Sequence, residues 1–372
     1  MRTTQFCLFC ILSFCANCQK YYLFIGSYTD SGSKGIYVYT FNASTGDAAF
    51  VSNTTGIVNP SYLTISPDAK YVYACTETRT ANAGSISSFS FDRKNGSLQF
   101  INKQSSGGDN PVYVSVHKSG KWVVCGNYTG GSVSAFRVMK NGGIAEASQV
   151  IKHIGNSSDS ARQDKSHVHS TIYSHDYGYL FVPDLGLDKV MIYKFLMQST
   201  LPLQTGEQPF VRTLAGSGPR HFAFHPNGKF AYLAEEMGGA VDVYHYTVGK
   251  LDSIQRIATH PAETKGPFGA ADIHVSPDGL FLYVTNRGKE NNIAIFSIDA
   301  TNGKLKPIGY EPTLGLVPRN FVIEPSGKFL LVANQGSGNI VVFKRNRQTG
   351  LLQATKTQIR VPEVSCLQMV RR

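Results

Sequence analysis

Several features are scarce or missing in this 372-residue chain. Beyond residue 18, no stretch offers the ~18 unbroken apolar residues that a membrane-spanning helix needs, so no span is expected. Cysteine is nearly absent after the start. Of seven cysteines, Cys7, Cys10, Cys15 and Cys18 precede Gln19, and only Cys75, Cys125 and Cys366 follow, each in a strand-like run. No CxxC occurs among those three, which argues against a zinc site or a dithiol redox motif. Buried free thiols are expected, with a Cys75–Cys125 bond between neighbouring units as the alternative. Helical periodicity is almost missing. No Gly-x-Ser-x-Gly follows a strand and opens a helix, which disfavours a serine nucleophile. Basic residues outnumber acidic ones, 36 to 25, a net charge of +11, yet they scatter through turns and are not clustered with aromatics. That distribution argues against nucleic acid and favours an anionic small molecule as partner.

Residues 1–18 carry one basic residue, an apolar run and small residues (Ala16, Cys18) before Gln19. This is the pattern of a signal peptide cleaved before Gln19, so an exported protein is expected. Cys18 lies in a poor lipobox, which disfavours lipidation. Asn-x-Ser/Thr sequons at Asn42, Asn53, Asn95, Asn127 and Asn156 matter only in a eukaryotic secretory route.

What the rest of the chain has is a repeat. Gly218–Glu236, GPRHFAFHPNGKFAYLAEE, reads as a strand, a tight turn and a returning strand. Sister copies begin at Asn59, Asn110, Ser166, Gly269 and Val317, and their turn residues Ala69, Gly120, Gly178, Gly228, Gly279 and Gly327 are 48–58 residues apart. Two further strand signals separate successive copies. Four strands per unit of about 50 residues indicate a β-propeller. Tyr22–Tyr28 aligns with a second strand, and Pro362–Val370 is a first strand with nothing after it. Six whole blades and one shared between the termini make an all-β, seven-bladed propeller over residues 19–372, closed so that no sheet edge is left exposed.

In such a blade the start of the first strand and the end of the second meet at one mouth of the channel. The second-strand ends give Tyr28, Glu77, Tyr128, Gly186, Glu236, Arg287 and Gln335; the first-strand starts give Tyr62, Tyr113, His167, His169, Arg220, Asp272, Arg319 and Asn320. Glu235 and Asn286 adjoin this ring. The opposite ends are plain solvent turns, where His175 and His225 are expected to be exposed. An isolated Arg–Glu pair on adjacent strands is more often structural. Convergence of three arginines, several carboxylates and a His-x-His on one concave site favours function. His167 and His169 could be metal ligands, but no third ligand stands at a fixed offset, so no metal and no cofactor are expected. Asp184–Asp188 lacks EF-hand spacing and reads as a loop hugging the mouth. Tyr71, Tyr73, Tyr232 and Tyr283 repeat at equivalent inner positions, and packing accounts for them.

GPRHFAFHPNGKFAYLAEEMGGAVDVY, VPDLGLDKVMIYKF, SPDGLFLYVTNRGKENNIAIF and VPRNFVIEPSGKFLLVANQGSGNIVVF resemble the seven-bladed propeller lactonases over essentially all of residues 19–372. That family includes propeller-type 6-phosphogluconolactonases and the carboxy-muconate lactonizing enzyme. The resemblance implies a His, two Arg and a Glu as catalytic set: His169, with His167 as rival, Arg220, Arg287 and Glu236. Tyr28, Glu77, Tyr128, Glu235, Asn286, Arg319, Asn320 and Gln335 are the accompanying substrate-binding candidates. Where the family usually has Asn-Glu, this chain has Glu235-Glu236, and two adjacent carboxylates could raise one pKa. Hydrolysis of a sugar lactone by a monomer, with Glu236 or His169 as base, is the expectation. The alternatives are a lactonizing or isomerising enzyme and an exported propeller that only binds a ligand or a protein.

Overall fold

A computed structural model of the chain describes residues 19–78 and 80–372. The leader expected over residues 1–18 lies outside them, as does lipidation at Cys18. Among the described residues, twenty-eight strands form seven four-stranded sheets in a ring, without helices. No helix in them is long and apolar enough to cross a membrane.

The first blade is shared between the chain ends, as expected. Val364–Arg371 is its inner strand and pairs antiparallel with Lys20–Ser27, placing Tyr22 opposite Val370 and Phe24 opposite Gln368. Ile36–Asn42 and Ala48–Thr54 complete that sheet. The other six blades follow in chain order, so the ring closes through main-chain hydrogen bonds between residues far apart in sequence.

Side-chain burial explains why the strand pattern differs across a blade. The second strands Phe230–Glu235, Phe281–Asn286 and Phe329–Asn334 are buried along their whole length. They lie between neighbouring blades, so both faces must be apolar and the runs are continuous. The outermost strands, such as Lys250–Ala258, alternate between exposed and covered positions. Of the repeated tyrosines, Tyr232 and Tyr283 do more than fill space, as does Tyr22 in the shared blade. Tyr22, Tyr232 and Tyr283 donate their hydroxyls to Arg93, Gly303 and Gly350 carbonyls in the next blade's outer turn, at 2.8, 3.0 and 2.7 Å. Each such bond contributes on the order of 1 kcal/mol and fixes the blade-to-blade offset.

Three expectations need correction. His225 is buried, not exposed: its Nε2 lies 2.9 Å from the Gly279 carbonyl of the next blade and its Nδ1 accepts the Asn227 N–H. It plays the turn-holding part that Ser66 and Ser276 play in other blades, where a hydroxyl accepts main-chain N–H groups. His167 and His169 do not sit on a regular strand. The regular inner strand of the fourth blade is only Ile172–Tyr173; ahead of it Val168 forms an isolated bridge with Asp184, whose carboxylate also accepts the His167 N–H (2.8 Å) and the Ser166 hydroxyl (2.5 Å). Asn127 is a sequon in sequence only: it is buried and its amide donates to Ser132 and Ser134 hydroxyls. Cys75, Cys125 and Cys366 are buried free thiols.

Candidate active site

Tyr28, Glu77, Tyr128, Glu236, Arg287 and Gln335 each stand one residue beyond a second strand, while Arg220 and Arg319 are the second residues of inner strands. Blade geometry therefore carries residues from distant parts of the sequence to one place. Glu77, Tyr128, His169, Glu236, Arg287 and Arg319 line a single cavity of about 580 Å³, together with Asn110 and Arg162.

Glu236 is its centre. Its Oε2 accepts from Arg220 Nε at 2.9 Å and forms an ion pair with Arg287 Nη2 at 3.0 Å, and its Oε1 accepts from Arg162 Nη2 at 2.7 Å. Burial opposes the charge on Glu236, but Arg287, Arg220 and Arg162 together outweigh it and hold the carboxyl far below its usual range. Glu236 is ionised at any ordinary pH and has no proton to give. Arg220, only 1% exposed, lies beneath the cavity and also donates to the Ala271 carbonyl at 2.8 Å. Burial pushes its pKa down to about 9, with Arg287 adding repulsion and Glu236 opposing it. It holds Glu236 in place and does not line the cavity.

His169, 5% exposed, lies with Nε2 3.9 Å from Glu236 Oε2, and its Nδ1 is buried without a hydrogen-bond partner. Burial first, then Arg220 and His221, push its pKa well below that of free imidazole, against the pull of Glu236. It is therefore a neutral imidazole, the protonation state a general base requires. His167, its rival, is turned to structure: Nδ1 lies 3.0 Å from the Tyr128 carbonyl, Nε2 3.3 Å from Asp164, and the ring stacks on Tyr128 at 4.5 Å. Tyr28 donates to Glu77 at 2.7 Å, and Arg319 Nη2 reaches the same Glu77 oxygen at 3.5 Å.

Three other candidates are engaged elsewhere. Glu235 follows the alternation of a strand and points away from Glu236. Its Oε2 takes Arg256 Nε and Nη2 at 3.0 and 2.6 Å. Its pKa is raised, but by burial and by Asp242 against the pull of Arg256, not by Glu236 as the adjacent carboxylates suggested. Asn286 is buried, bonded to Thr259 and Asn292. Asn320 donates to Asp272 at 2.5 Å and accepts the Leu367 N–H at 2.7 Å, tying the seventh blade to its neighbours. Asp272 also takes His221, His274 and two main-chain N–H groups, forming a rigid polar floor. Asp184 and Asp188 organise their loops through serine and main-chain donors. Among the described residues, no group of three or more His, Cys, Asp or Glu side chains is placed to hold a metal ion.

The Glu235–Asp242 pair sets a pH dependence of stability. Burial raises both pKa values in the fold, and one arginine faces two acids. A raised acid stabilises below its unfolded pKa and loses that contribution as pH rises through its folded one. Asp242→Asn is therefore expected to raise the urea midpoint at pH 8 relative to pH 5, compared with the parent chain. Parallel midpoints for the two proteins would show that the fold does not raise the Asp242 pKa.

Sequence reasoning missed Arg162 and Asn110. Arg162 comes from the loop joining the third and fourth blades, and the only hint was that the Gly120–Gly178 interval is the longest of the set. The loop lies close because position 186 is glycine; a Cβ there would overlap the Lys165 carbonyl. Arg162 is half exposed and Glu236 keeps two other arginines. Arg162→Ala is thus expected to raise KM about tenfold, ~1.4 kcal/mol, with little change in Tm. An unaltered KM would take this residue out of the site.

Residues 22–369 match the family described as Lactonase, 7-bladed beta-propeller. A 6-phosphogluconolactonase of Formosa agariphila is 41% identical over 349 residues, covering 93% of this chain and 99% of the relative. Among solved structures, a candidate 6-phosphogluconolactonase of Bacteroides fragilis superposes with TM-score 0.91 at 38% identity, covering 95% of this chain and 98% of its own. The periplasmic gluconolactonase of Pseudomonas aeruginosa superposes with TM-score 0.88 at 36% identity, covering 94% and 99%. With this match across nearly the whole length, and a cavity that joins a neutral histidine to a carboxylate ringed by arginines, the chain belongs to the seven-bladed β-propeller lactonase family.

Proposed function

We propose that this protein hydrolyses a sugar lactone, 6-phosphogluconolactone-like or another aldonolactone, at one mouth of the propeller channel and without a metal. The observation that carries this reading is the buried, neutral, unpaired His169 beside Glu236 and its arginines. His169 takes a proton from water as the oxygen attacks the lactone carbonyl. Arg287 stabilises the oxyanion that forms, and the half-exposed Arg162 binds the substrate's anionic substituent. The ring C–O bond then breaks, and the imidazolium returns its proton to the departing ring oxygen, giving the open hydroxy acid. Glu236 stays ionised; it orients the arginines and balances the imidazolium, while Arg220 anchors it from below. Three guanidinium groups (Arg162, Arg287, Arg319) and two carboxylates (Glu77, Glu236) line the cavity, an excess of positive charge that suits an anionic substituent on the sugar.

The names of the relatives support a lactonase, and the periplasmic location of the Pseudomonas protein agrees with an exported chain cleaved before Gln19. A lactonizing or isomerising reaction would use the same base and arginines. A pH-stat screen of gluconolactone, its 6-phosphate and other lactones is expected to show acid release that a chelator leaves unchanged. No release from any lactone rejects hydrolysis, and chelator-sensitive turnover rejects the metal-free route.

A further inference from the structure

Beyond Arg319 the site does not end. A second cavity of about 670 Å³ adjoins the first and shares Glu77, Asn110 and Arg319 with it. Each volume falls within the roughly 300–1,000 Å³ that ordinarily houses a whole small ligand. A single lactone ring fills only one of them. The second cavity also differs in charge. Asp30, Glu77 and Glu363 face Arg319 as its only cation, with Tyr28, Asn59 and Gln335 as uncharged polar neighbours. The Oδ1 atom of Asn110, at the junction of the two cavities, is buried without a hydrogen-bond partner. Buried acceptors of this kind are rare and call for an explanation.

A net acidic cavity repels phosphate, whereas carboxylates and amides accept hydrogen bonds from sugar hydroxyls. Tyr28, cation-stacked under Arg319 at 5.6 Å, adds an aromatic wall at the border. We infer that the second cavity is a glycosyl subsite, and that the preferred substrate is the lactone of a disaccharide acid, its lactone ring in the first cavity and its neutral sugar in the second. This rests on the proposed lactone hydrolysis and extends it to a larger substrate class. The reaction is unchanged: water adds, the ring ester opens, and the glycosidic bond stays intact.

Val58 and Asp30 line the second cavity and not the first, so altering them leaves the reacting groups alone. The experiment compares kcat/KM on glucono-δ-lactone and on maltobiono-δ-lactone for the parent chain, Val58→Trp and Asp30→Ala. The parent is expected to prefer the disaccharide lactone by about tenfold. Val58→Trp, which fills the cavity, is expected to abolish that preference, and Asp30→Ala to weaken it, with gluconolactone turnover within twofold of the parent for both. Equal rates on the two lactones in the parent, or a Val58→Trp enzyme that keeps both gluconolactone turnover and the parental preference, overturn the subsite while leaving lactone hydrolysis in place. If the parent opens 6-phosphogluconolactone but neither of these two lactones, the subsite alone is overturned; failure on all three overturns both readings. Because gluconolactone turnover reports folding independently, a misfolded Val58→Trp is recognised, and Asp30→Ala, at an exposed position, then decides.

Discussion

His169→Ala is expected to lower kcat/KM on the lactone by about 10²–10⁴-fold, the usual contribution of a positioned general base, while Tm stays close to that of the parent. The two outcomes separate because His169 makes no hydrogen bond through Nδ1, so its removal strands no partner there. Its ring packs edge-on against Tyr128 and His221, both at 5.4 Å, and those rings keep their own contacts. The pH profile gives an independent check. A base works in its neutral form, which prevails above its pKa. Burial, Arg220 and His221 lower that pKa well below 6.5, so the acid limb of kcat/KM should move to a more acidic pH than an ordinary histidine gives. Activity is expected to hold level from neutrality through pH 6. A limb centred near 6.5, or a His169→Ala enzyme with normal turnover, would show that another group removes the proton.

Glu236→Ala should damage fold and activity together. Arg220 is almost wholly buried and is held by one carboxylate and one main-chain carbonyl. Removing the carboxylate leaves an uncompensated buried charge, for which a loss of about 3–5 kcal/mol is the ordinary magnitude. Arg162 and Arg287 lose the same anchor, so kcat/KM is expected to fall at least as far as in His169→Ala. Glu236→Gln keeps the shape without the charge and should recover part of the stability. Adding Arg220→Met to Glu236→Gln removes the buried charge itself, and the double variant is expected to be more stable than Glu236→Ala yet inactive. A double-mutant cycle measured by urea unfolding reads this coupling directly. If Glu236→Ala unfolds at the parental midpoint, the arginines are solvated in a way the buried geometry does not allow.

Most of the architecture is written locally. Continuous apolar runs, turn residues about 50 apart and unpaired strands at the two chain ends determine seven blades and the shared first one, because strand formation and turn geometry depend on neighbours in sequence. The same repeat places Glu236, Arg287, Arg319, Glu77 and Tyr128 at corresponding strand ends, and motif resemblance singles out His169.

The partner of each polar group is not written locally. Glu235 and Glu236 are adjacent and chemically identical, yet one meets Arg256 and Asp242 between strands and the other meets three arginines in the cavity. Asn286 and Asn320 look like site residues by position, but Thr259 and Asp272, brought by other turns of the chain, hold them. Arg162 enters from an inter-blade loop that no period predicts. Blade, ring and family follow from the sequence by itself. Which acid is ionised, which histidine keeps an unbonded ring nitrogen and which arginine lines the cavity were decided by the tertiary structure, since charge and burial act through space between residues that the chain holds far apart.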